Sequence, residues 1–251
     1  MIRQIENISL VKAYEAVLSG ITVSFFTPNR IGEYAGRVFY LRQGNRLAAA
    51  IITIIENAGQ LIITIITGCL AMIWYKNEFL EFSGWQSTAI TWACLTVPVL
   101  VLFVFLNLNF LIAALSQNTF IKKYTHVFDS FSFYSKMKLI KLLLLSLLRY
   151  SVFSVQFFLL IKLFGLELPV LPTLFLISLS FFFMTIIPTI AITELGVRGA
   201  VSVYFISKIN PDGVPVLNAS FALWLINLVI PSVIGAFLIL NVRWKKKSEW
   251  K

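Results

Sequence analysis

Two short stretches of this chain carry an acid and a base in the same arrangement. One reads Pro28-Asn-Arg30-Ile-Gly-Glu33-Tyr-Ala-Gly-Arg37, the other Pro188-Thr-Ile-Ala-Ile-Thr-Glu194-Leu-Gly-Val-Arg198. In each, a glutamate follows the proline by five or six residues and an arginine lies four further on. On a helix, that spacing puts acid and base on one face, where they can pair. Small residues flank both pairs (Gly32, Ala35 and Gly36; Gly196, Gly199 and Ala200) and let helix backbones approach closely. Glu56 and Arg149 add a third acid and a further base inside apolar runs. An ionisable group at the centre of a bilayer costs about 2.5–3.5 kcal/mol even on lenient scales. The cationic excess of Arg30, Arg37, Arg149 and Arg198 over Glu33, Glu56 and Glu194 suits a phosphate or carboxylate ligand. Helix N-termini after each proline would add donors for the same anion. Two structural readings stand beside this one. Each Glu-x-x-x-Arg pair can be a pin that holds a hairpin shut, and Glu56 can be the salt-bridge partner of Arg149.

The elements that must hold these groups follow from composition. Of 251 residues, 59% are hydrophobic and 13% charged, with 23 phenylalanines and a net charge of +10. Mean hydropathy is +0.87. Soluble domains carry about 25% charged residues, so a disordered chain, a nucleic-acid-binding domain and an ordinary soluble enzyme are excluded. The expectation is an all-α polytopic membrane protein, residues 1–251 forming a single membrane domain. Four runs are long enough to cross a hydrocarbon core of about 30 Å, which needs about 20 helical residues. They are Leu47–Tyr75, Thr88–Leu115, Leu139–Phe164 and Val216–Leu240. A cytoplasmic loop, 116–138, separates the second from the third.

Two more apolar stretches, 8–43 and 170–207, are broken near Pro28 and Pro188. The second limb of each is too short to span, so each is read as a re-entrant helical hairpin. Lysines and arginines orient the chain. Lys122, Lys123, Lys136 and Lys138 lie in the long loop, and Arg243, Lys245, Lys246, Lys247 and Lys251 in the tail. These segments are placed in the cytoplasm, with the C-terminus, in a plasma (inner) membrane. The linkers at 76–86, 165–169 and 210–215 are poor in lysine and arginine and are placed outside. The alternation closes only if both broken stretches return to their own side. The two hairpins then have opposite orientation, the mark of an inverted repeat, in which short Gly/Pro-interrupted segments point to a midplane site. By the same symmetry, one span is expected ahead of Met1.

Within Leu47–Tyr75, the residues Thr53, Glu56, Asn57, Gln60, Thr64 and Thr67 recur at steps of three and four, one polar stripe on an apolar helix. Such a stripe faces protein or a water-filled cavity, not lipid. Ser220, Trp224, Asn227 and Gly235 share a face of the last span. Cys69 and Cys94 lie in apolar runs and read as small buried hydrophobes. The single His126 has no His or Cys near it, so no metal and no cofactor is expected.

The two paired stretches resemble those of a known family. TPNRIGEYAGRVFYL is similar to a conserved Pro-x-Arg-x-Gly-Glu stretch followed by Arg, and ITELGVRGAV to a Gly-x-Gly-x-Arg-Glu stretch. The family is the lysylphosphatidylglycerol synthase transmembrane region, also called flippase-like integral membrane proteins. The resemblance marks Pro28, Arg30, Gly32, Glu33, Glu194, Gly196 and Arg198, and departs from the family where Gly199 replaces a glutamate. It implies the moving or presenting of a lipid, such as an aminoacylated phospholipid or a lipid-linked sugar. No residues lie outside the membrane domain to house the soluble aminoacyl-transferase domain of full-length synthases, so lysyl transfer is not expected.

Together these readings favour a protein that binds and flips a lipid with an anionic headgroup. Its partner would be that lipid, and no nucleic acid. The alternatives are a membrane-embedded enzyme that modifies a headgroup, and a scaffold subunit of a membrane complex. The intramembrane residues offer carboxylates but no histidine and no reactive cysteine setting, which disfavours the enzyme and leaves no catalytic residue to name.

Overall fold

A computed structural model describes residues 9–28, 31–38, 46–81, 84–108 and 135–248. Among them every regular element is helical. In chain order these are α1 (Leu10–Phe25), α2 (Gly32–Val38), α3 (Arg46–Phe79), α4 (Trp85–Leu106), α5 (Lys136–Leu163), α6 (Val170–Ile186), α7 (Ala191–Ile206) and α8 (Val214–Trp224). A π-helical turn, Leu225–Val229, then leads into α9 (Ile230–Ser248).

Four segments are long and apolar enough to cross a membrane: Ile52–Phe79, Trp85–Leu106, Lys136–Leu163 and Val214–Leu240. They match the four expected runs, with shifted ends. The chain is an integral membrane protein. The clearest shift is at Lys76, assigned above to a polar linker. It lies inside α3, because its ammonium is held by groups of α4 and does not need water. The second run, expected to reach Leu115, is described as helix only to Leu106; the loop lysines Lys122 and Lys123, His126, and Arg30 fall outside the described residues. Helix α4 is apolar all round and, of its side chains, only Phe105 is buried, as suits a helix in contact with lipid.

Local chemistry sets several helix ends. Ser9 caps α1 by accepting from the Lys12 amide at 3.3 Å, and Ser135 caps α5 by accepting from the Lys138 amide at 3.4 Å. Helix α5 stops at Gly165, whose φ of 92° is open to glycine but strained for other residues. Its amide donates to the Lys162 carbonyl, and the Leu166 amide to that of Ile161, the paired bonds of a Schellman stop. The π turn has a proline cause. Pro231 has no N–H to offer the Asn227 carbonyl, so the ladder slips and the Ile230 amide bonds Leu225 instead.

The chain forms two compact units. The first comprises Met1–Ile54, Pro188–Val197 and Ser220–Lys251. There α2 folds back on α1, and α9 packs against α1 as well. The contacts run through small residues: a Cβ at Gly36 would lie 2.5 Å from the Cα of Gly20, and one at Gly235 would collide with the Leu18 carbonyl. Thr22 bridges by donating to the Ser232 carbonyl at 2.7 Å.

The second unit comprises Ile55–Ile187 and Arg198–Ala219. Its packing is aromatic. Phe182 covers Gly68, Trp74 stacks on Phe175 at 5.1 Å, and Phe183 meets Phe205 at 5.2 Å. The last contact joins the end of α6 to the C-terminal part of α7.

Candidate functional site

The expected site residues divide between the two units. In the first unit, Glu33 opens α2 and is half-buried. Arg37 lies one turn on in the same helix. Glu194 lies in the first turn of α7 and is only 6% exposed. The turn beneath it is locally closed. Thr193 Oγ1 accepts from the Ile190 amide at 3.1 Å and donates to the Ile190 carbonyl at 3.1 Å.

One residue the spacing argument left out of the site stands beside this turn. Trp224 Nε1 donates to the Ala191 carbonyl at 2.9 Å. Its ring lies 6.3 Å from that of Phe25, the last residue of α1, and stacks on Phe221 at 6.0 Å. Trp224 therefore touches the end of α1, just before the first break, and the start of α7, just after the second. Asn227, in the π turn, donates to the Leu223 carbonyl at 3.0 Å. The signal available in the sequence was Pro231, which marks the irregular turn that follows Trp224.

In the second unit, Arg198 is half-buried with its guanidinium 6.0 Å from the centroid of the Phe181 ring. Phe181 meets Tyr150 edge-on at 5.9 Å and stacks on Phe157 at 6.1 Å. A cation on α7 is thereby joined through α6 to the buried face of α5. Nothing in the spacing of the phenylalanine run 181–183 distinguishes Phe181 from its neighbours. Arg149 follows Leu148 on an exposed face of α5, and its guanidinium lies 5.5 Å from the Phe153 ring, one turn along the same helix. Glu56 is half-buried on α3.

The interior of this unit is more polar than its composition. Thr64 and Thr67 donate to the Gln60 and Ile63 carbonyls at 3.0 and 2.9 Å, which hides hydroxyls against their own helix. Gln60 Oε1 is buried and makes no hydrogen bond among the described residues, and the buried Tyr150 hydroxyl lies beside the hydroxyls of Ser178, Thr67 and Ser154. Such groups are costly in an apolar setting. Along the outer part of α5, Val152, Val155, Leu159 and Leu163 line an open groove of about 640 Å³. Among the described residues no three of His, Cys, Asp and Glu converge on a possible metal position.

Four helices long and apolar enough to cross a bilayer define a class, polytopic α-helical membrane proteins. More narrowly, the chain belongs to the family described as the lysylphosphatidylglycerol synthase TM region, whose model matches residues 1–235. No curated protein and no solved structure matches it.

Proposed function

We propose that this protein binds a membrane lipid with an anionic headgroup and carries that headgroup across the bilayer. The observation that carries the reading is Glu194, 6% exposed in an apolar stretch, with Arg198 one turn further along the same helix. The matching acid, Glu33, opens the helix that follows the first break. A bilayer protein keeps such groups where they meet a polar substrate. Arg30, Arg37, Arg149 and Arg198 supply the charge that neutralises a phosphate, and Glu33, Glu56 and Glu194 hold those cations in place between turnovers. Membership of a family named for a phospholipid synthase supports a lipid rather than a small solute.

On this reading both broken stretches are re-entrant, the first from the cytoplasm and the second from outside. The C-terminus is cytoplasmic and the membrane is the plasma membrane. Each hairpin opens the site to one leaflet, so the headgroup moves between them while its chains stay in hydrocarbon.

The test is transport in proteoliposomes with fluorescent phosphatidylglycerol and phosphatidylcholine, read by quenching of the outer leaflet. Faster transfer of the anionic lipid is expected. Arg198→Ala and Arg37→Ala should each reduce that transfer and the affinity for anionic lipid while folded yield holds. Loss of folded protein, with normal lipid affinity in what survives, would show that the Glu-x-x-x-Arg pairs are structural pins.

A further inference from the structure

We infer that Trp224 is a positioning residue, a clasp that holds the two helix breaks of the first unit together. Three irregularities of the chain meet at this one indole. Its ring packs on Phe25, where α1 ends, at 6.3 Å. Its N–H is given to the Ala191 carbonyl, where α7 begins, at 2.9 Å. Its own helix turns π-helical at the next residue, Leu225.

The chemistry favours a clasp over simple filling. A phenylalanine would supply the same apolar contact with Phe25. Only the indole adds a directed donor, and its acceptor lies in the segment that leads into Glu194. Trp224 is half-buried, and an indole N–H in the apolar part of a bilayer has no water to fall back on, so releasing this bond there requires a replacement acceptor. The π turn supplies freedom to move. Its ladder is already displaced by Pro231, so a rotation of Trp224 breaks fewer regular bonds than one in an unbroken helix. Ser220, one turn before Trp224, is fully buried, and its hydroxyl has no hydrogen-bond partner among the described residues.

Trp224 thus holds Glu194 at a fixed distance from the end of α1, and turning it away parts the two breaks. Its consequence for lipid rests on the function proposed above. The experiment measures both independently. Spin labels at Phe26→Cys and Ile190→Cys, with Cys69→Ala and Cys94→Ala as background, report the separation of the two breaks; both labelled positions are exposed, at 79% and 40%. In the parent protein a single narrow distance is expected. Trp224→Phe keeps the ring and removes one neutral hydrogen bond, so a longer distance should grow about two- to tenfold in population. Trp224→Ala should enlarge it further. An unchanged distance distribution in Trp224→Phe overturns the clasp, whatever happens to Trp224→Ala. Affinity for anionic nanodiscs, measured on the same samples, should fall in step with the opening. If the breaks part and lipid affinity holds, the clasp stands and the lipid reading of Glu194 is what fails.

Discussion

Lys76 shows how a residue that reads as a loop signal can be an interior anchor. It is 6% exposed, and its ammonium donates to Ser87 Oγ at 2.8 Å, the Ser87 carbonyl at 3.2 Å and Thr91 Oγ1 at 2.7 Å. Every ammonium proton therefore has an acceptor, and all the acceptors are neutral groups near the start of α4. Removing acceptors and removing the charge should then differ. Ser87→Ala with Thr91→Val strands part of a buried cation, at about 1–3 kcal/mol or more for each lost bond. Lys76→Met keeps the apolar stem and removes the demand for partners. Thermal unfolding in detergent should show the double variant less stable than Lys76→Met, and the reverse order would show that the charge itself, not its bonds, matters. A second residue, Gly36, tests the packing of the first unit. A side chain there meets Gly20 backbone at 2.5 Å, where no rotamer can give way. Gly36→Val should cost about 1–3 kcal/mol by overpacking, seen as reduced folded yield and a lower unfolding temperature.

At the level of elements, the spans were legible because an apolar run of about 20 residues matches the thickness of a bilayer and exceeds what a small soluble core can cover. The two helix breaks were legible from Pro28 and Pro188, which interrupt the apolar runs, and from the glycines beside them. Other features were not. The π turn leaves no periodic mark, since one slipped bond does not alter which residues are apolar. The tie from Trp224 to Ala191 joins residues far apart in sequence, and no local rule pairs them. The same holds for Arg198 over Phe181, since the intervening break sets the angle at which α7 returns. The π turn makes its own prediction. Pro231→Ala restores the missing donor and removes a helix penalty of up to about 3 kcal/mol. It should raise thermal stability and slow lipid transfer, because a regular helix turns Trp224 less easily. A fall in stability would mean that packing around the turn, rather than the proline, maintains it. The end of α5 is tested in the same way. Gly165→Ala forces a side chain into a φ of 92° and should cost roughly 1–2 kcal/mol, measurable as a lower unfolding midpoint with lipid transfer unchanged.

For the whole molecule, the decisive question is how the chain threads the bilayer. Four crossing segments bring the chain back to the side from which the first one starts. That return holds only if the second broken stretch, between the third and fourth segments, comes back to its own side. Helix α6 has 17 residues, a length of about 25 Å at 1.5 Å per residue, short of a hydrocarbon core of about 30 Å. If the stretch crossed anyway, the segment from α8 onward would be inverted. Lys245, Lys246 and Lys247 would then lie outside, on the side opposite Lys136 and Lys138. The positive-inside bias opposes that arrangement, since these cations lie within a few residues of span ends, where the bias is strongest. The proposed reading, in which the second stretch enters from outside and returns, fits both length and charge. On the reading proposed above, the first stretch, with its similar Pro, Glu and Arg, enters from the cytoplasm, and the two hairpins have opposite senses. Single cysteines at Asn210 and Pro28, again without Cys69 and Cys94, test this in intact cells and in inverted vesicles. A membrane-impermeant maleimide should label Asn210→Cys from outside and Pro28→Cys only from the cytoplasm. Labelling of Asn210→Cys solely from the cytoplasm would place α8 and α9 in the inverted sense and overturn the opposed hairpins on which the proposed passage between leaflets depends.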